Sequence, residues 1–136
     1  MRDLNSRLSV APSILPRNFN ADGTVDGLDV DLANFDSAVV ELVAGTWAVD
    51  GTYTFNIQEA DDDGAGAPDT YANVAAADLD GTELAVTSAS VDNTVAQIGY
   101  KGNKRWLRVQ MITAANTSGT FDASASVIRG NGRKLT

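Results

Sequence analysis

The sequence predicts an all-β protein: an antiparallel β-sandwich of jelly-roll type with an extended N-terminal arm. Three observations carry that expectation. Residues 49–59, VDGTYTFNIQE, alternate strictly, with Tyr53, Phe55 and Ile57 on one side and Thr52, Thr54, Asn56 and Gln58 on the other. A period of two marks a strand with one buried face. Turn formers recur at short intervals, at Asp50-Gly51, in ADDDGAGAPD (60–69) and at Asp80-Gly81, the spacing of many short strands in a sandwich. The three prolines, Pro12, Pro16 and Pro68, fall in the N-terminal segment and in a loop, so no central strand loses a backbone donor.

Taken in order, residues 1–24 are polar and turn-rich, with apolar islands at Leu8, Val10, Ile14 and Leu15. They read either as a strand plus an arm lying over a neighbour, or as a strand and loop on the protein's own sheet. Residues 37–43, SAVVELV, form a strand that Asp50-Gly51 turns into 52–58. Short strands follow at 71–74 and 84–87, and 73–79 is the one stretch where a short helix fits. Residues 95–100 and 105–113 are strands joined by Lys101-Gly102-Asn103-Lys104. Residues 121–129 close the series, with Phe121, Ala123, Ala125 and Val127 inward. The organisation expected is an arm or first strand (1–24), a β-sandwich domain (25–131) and a basic tail (132–136).

Composition narrows function. The chain of 136 residues is 43% hydrophobic and carries a formal charge of −8, which suits one folded domain and argues against nucleic acid as a partner. It has no cysteine and no histidine. That removes disulfides, Cys/His zinc sites and the Ser-His-Asp arrangement. The best apolar run, 38–44, is too short to span a bilayer and contains Glu41. The first ten residues lack the apolar stretch of a signal peptide.

The charge is unevenly distributed. Residues 1–17 are net basic through Arg2, Arg7 and Arg17. Residues 18–100 hold sixteen acids and no lysine or arginine, whereas 101–136 hold seven basic residues against Asp122. Such asymmetry predicts that acidic and basic surfaces meet, within the fold, between copies or on a different partner.

Candidate chemistry is sparse. EADDDG (59–64) places Glu59, Asp61, Asp63 and Gly64 at EF-hand-like positions, but position twelve is Thr70 and no helices flank it. A solvated acidic loop is the better reading, and no metal or cofactor is expected. In 21–36, Asp22, Asp26, Asp29, Asp31 and Asp36 read as the exposed side of a strand. No nucleophile elbow or marked carboxylate pair is present, so no catalytic residue and no enzyme activity are expected. In IGYKGNKRWLRVQ (98–110), Leu107 and Val109 suit the core while Trp106, Arg108 and Gln110 project from the other face. Trp beside Arg on an outward face is a composition typical of protein-contact hot spots.

The order of these motifs carries a resemblance. QEADDDGAGAPDTYANVAAADLDG followed by VAQIGYKGNKRWLRVQMITAANTSGTFDASASVIRGN resembles a family of small virion proteins of tailed bacteriophages, similar to capsid decoration (cement) proteins. Ile98-Gly99-Tyr100-Lys101-Gly102, the run 104–109 and Arg129-Gly130 fill the family's places, with Trp106 where a Tyr is usual; the likeness covers about residues 35–131. It implies a non-enzymatic protein on the capsid exterior, assembled in the host bacterial cytoplasm. The implied partners are the major capsid protein and itself, as a homo-oligomer with a trimer as one option, with no nucleic acid and no membrane. The expected contact residues are Arg2, Arg7, Lys101, Lys104, Arg105, Trp106 and Arg108. The alternatives are a neck, tail or fibre component, and a carbohydrate-binding sandwich using Trp47 and Trp106.

Overall fold

A computed structural model describes residues 3–132. The strands are β1 (Leu8–Phe19), β2 (Gly23–Asp26), β3 (Val30–Asp31), β4 (Phe35–Ala48), β5 (Thr52–Ala60), β6 (Ala72–Asn73), β7 (Leu79–Asp80), β8 (Ala85–Val86), β9 (Thr94–Tyr100), β10 (Trp106–Ala114) and β11 (Thr120–Gly132). One sheet has the order β1-β11-β4-β9-β7. The other runs β2-β10-β5-β6, with β3 also on β10 and β8 also on β5. Every ladder is antiparallel.

The pairing is nested. β1 meets β11, β2 and β3 meet β10, β4 meets β9, and β5 meets β6 and β8. A long hairpin rolled so that its successive pairs alternate between two layers gives this arrangement, the jelly roll. Alternation in the sequence dictates the layers. Tyr53, Phe55 and Ile57 of β5 and Leu107, Val109 and Met111 of β10 are fully buried. They face Val40 and Leu42 of β4 and Phe121, Ala125 and Val127 of β11, in one core. Phe121 sits at its centre, 5.0 Å from the Tyr53 ring and 6.3 Å from that of Phe55.

Several expectations are refined. The N-terminal segment does not reach away as an arm: from Leu8 to Phe19 it is a strand on the chain's own sheet, ending one edge of it. The expected strand at 37–43 is the middle of β4, fourteen residues long. The stretch read as a short helix holds a single 3-10 turn, Ala76–Asp78, too short for an α-helix and followed at once by β7. β11 extends to Gly132, one residue into the expected basic tail. Arg2 and the remaining tail, 133–136, lie outside the described residues. No helix among the described residues is long and apolar enough to cross a membrane.

Candidate functional site

The nested pairing brings the described ones among the expected contact residues, all but Arg2, to one end of the sandwich. β1, β4 and β10 begin there, β5, β9 and β11 finish there, and β3 ends there. Arg7 precedes β1, Lys101 and Lys104 lie between β9 and β10, and Arg105 and Trp106 open β10. Arg108 sits one step along β10, on the outer face of its sheet. The acidic loop after β5 occupies the same end.

The charges meet within the chain. Arg105 donates from Nε and one terminal nitrogen to the two oxygens of Asp31, each at 2.9 Å. Its other terminal nitrogen reaches Asp62 at 3.0 Å. Two parallel bonds to one carboxylate make the stronger kind of ion pair. The same Asp62 oxygen accepts the Trp106 indole N–H at 3.2 Å, and the Arg105 guanidinium lies 5.2 Å from the Trp106 ring centre. Lys104 pairs with Asp61 at 2.5 Å. These contacts tie the strand that opens with Trp106 to both of the segments flanking it.

Arg108 is held in another way. Its Nε donates to Gln58 at 2.8 Å, a terminal nitrogen lies 3.4 Å from Asp26, and the guanidinium stacks 4.1 Å over Tyr71. Gln58 passes the chain on to Asn73 at 3.0 Å, and Tyr71 donates to Asp29 at 2.9 Å. Arg129 spans the end of the other sheet, donating to the Asp31 carbonyl and to Ser9 while lying 4.7 Å over Phe35.

Proton affinities follow this geometry. The bonds from Arg105 hold the Asp31 carboxyl below its usual range against the opposing effect of burial. Burial, reinforced by donation to Glu59 at 2.5 Å, pushes the Tyr100 phenol up. Burial and donation to Asp29 do the same for Tyr71. These shifts favour an ionised Asp31 and neutral Tyr71 and Tyr100 at neutral pH.

The acidic loop is likewise committed. Asp61 and Asp62 serve the cations above, and Asp63 caps its own turn by accepting the Ala65 and Ala67 N–H groups at 2.7 and 3.2 Å. Among the described residues no three or more His, Cys, Asp or Glu side chains gather to hold a metal ion. Both tryptophans donate inward, Trp106 to Asp62 and Trp47 to the Gly51 carbonyl at 3.2 Å. Beside the hairpin a cleft of about 450 Å³ opens between residues 32–38 and 100–105.

Ser13 carried no signal in the sequence pattern. Its buried hydroxyl, on β1, accepts the Val109 N–H of the facing sheet at 2.8 Å and donates to the Leu28 carbonyl at 3.0 Å. Which acids would serve Arg105 was also hidden, because Asp31 lies 74 positions away. The run of acids before the basic hairpin was the only pointer.

No protein-family model matches the chain, and no curated protein matches its sequence.

Proposed function

We propose that this chain is a non-enzymatic structural protein of a tailed-phage virion, bound to the outside of the head as a decoration protein that bridges capsid subunits. One observation carries the reading: the hairpin 98–109, on which the resemblance rests, is built as a rigid presentation end of a jelly roll. Lys104 and Arg105 are held by the chain's own carboxylates, which supports a static contact surface. The groups around it are paired donors and acceptors, suited to adhesion. Repeated by symmetry over a shell, modest contacts become a strong bridge through multivalency.

The pairing reassigns the contact roles. Lys104, Arg105 and Arg108 shape the end, while Arg7 and Lys101, both exposed, and the open side of Trp106 are the groups offered to the shell. Reversing Arg105 would break the fold's own ion pairs, so Arg7→Glu with Lys101→Glu is the informative variant.

The test is a copy count in purified particles of the encoding phage. Decoration predicts hundreds of copies per head, on the order of the capsid subunits themselves. About a dozen copies indicates a neck ring of low-order symmetry instead, and absence from the particle overturns the proposal.

A further inference from the structure

The cleft beside the hairpin lies where two neighbouring strands part. β4 and β9 are paired as far as Ala38 and Tyr100. Beyond them β4 extends three residues further, to Phe35, while the chain after β9 leaves into the 101–105 connection. The cleft opens beside that extension, and Leu32, Phe35, Ala38 and Tyr100 give it an apolar lining. At about 450 Å³ it falls within the roughly 300–1,000 Å³ of pockets that hold a ligand. On the other side of β4, β11 ends at Gly132, opposite Phe35. The sequence continues from there as Arg133-Lys134-Leu135-Thr136, outside the described residues.

We propose that this segment crosses the start of β4 and lodges Leu135 in the cleft, as a strap over this end of the sandwich. Reach allows it. Neighbouring strands lie about 4.8 Å apart, and three extended residues, from Gly132 to Leu135, cover roughly 10 Å. Charge favours it. The cleft is lined by Asp36, Lys104 and Arg105, and groups bonded to its lining residues add Asp31, Glu59, Asp61 and Asp62. Arg129 lies over Phe35. Five carboxylates thus stand against three cations, and Arg133 and Lys134 enter acidic surroundings. Leu135 is the one apolar residue of the segment, and the apolar lining takes it out of water. Tethering selects this occupant over a separate chain. A segment joined to a strand that ends beside the cleft acts at an effective concentration on the order of millimolar. The inference does not rest on the virion reading.

The chain has no cysteine, so introduced thiols report on the segment without background. In the full chain carrying Asn103→Cys with Leu135→Cys, mild oxidation is expected to close a disulfide within one copy, which requires the two Cα atoms to come within about 7 Å. Ser37→Cys with Leu135→Cys gives a second pairing from the opposite wall of the cleft. Asn103 and Ser37 are both exposed, so the variants are expected to fold, which circular dichroism checks. With Leu135→Cys alone, alkylation by a maleimide is expected to run about tenfold or more slower than with Val49→Cys, a position 69% exposed on the turn before β5. A thiol at position 135 alkylated as fast as the one at 49 overturns the proposal. So does the absence of a disulfide in both pairs. A disulfide that forms only between copies overturns it too, and gives the cleft to a neighbour's segment.

Discussion

Ser13 shows how one hydroxyl holds two layers together. β2 and β3 both pair with β10 but leave a gap at 27–29, where the ladder loses its register. Gly27 donates to the Val109 carbonyl at 2.8 Å, yet the Val109 N–H is left for Ser13. A Cβ at Gly27 would lie 2.4 Å from that carbonyl and 2.5 Å from the Ser13 hydroxyl, so only glycine fits. Ser13→Ala orphans a buried donor, and about 1–3 kcal/mol of stability is expected to be lost. Chemical denaturation measures it; a change below about 0.5 kcal/mol, the scatter of ordinary surface substitutions, would remove the bridge from the explanation.

At the scale of elements, the chain repairs its broken strands with side chains. On β5 the gap between β6 and β8 is filled by Glu83, whose carboxylate accepts the Ile57 N–H at 2.5 Å. At the far end, Asp50 accepts the N–H groups of Thr117, Ser118 and Gly119 at 3.1, 3.3 and 2.8 Å, fixing the β10–β11 turn against the β4–β5 turn. A Cβ on Gly119 would fall 1.9 Å from the Asp50 carbonyl. Gly119→Ala therefore forces two turns apart, and a fall in melting temperature of several degrees, the equivalent of about 1–3 kcal/mol, is expected by calorimetry. An unchanged melt would mean the turns are not coupled. Strand interiors were legible because alternation is a local signal: Tyr53 to Ile57 and Phe121 to Val127 are buried as their pattern predicts. The short strands β3, β6, β7 and β8 were legible only in part. Two residues carry no periodicity, and their position depends on partners such as Glu83 that are distant in sequence.

For the whole molecule, the charge split of the sequence becomes a closing device. The acids of 26–31 and 59–62 and the bases of 104–108 are far apart in the chain, and the rolled hairpin sets them side by side. Composition foretold that opposite charges would meet. Whether they met within one copy or between partners depended on topology, which a single sequence pattern does not encode. The acidic loop was legible as a loop, and its service to Arg105, Trp106 and Lys104 followed only from the register of β5 against β10.

A double-mutant cycle on Arg105 and Asp31 tests this closure most directly. Both side chains are about one-third exposed, so solvent screening limits the pair, and a coupling of about 1 kcal/mol is expected at neutral pH from its bidentate geometry. The sign with pH is fixed by Asp31, whose carboxyl is depressed in the fold chiefly by the Arg105 bonds. The coupling is therefore full above the unfolded carboxyl's range, about pH 4, and is lost as pH falls below it through the folded value. A cycle that gives about 1 kcal/mol at pH 7 and fades in acid places the basic hairpin in the service of the fold's own acids. A coupling of zero at pH 7 would contradict it and return Arg105 to an outside partner.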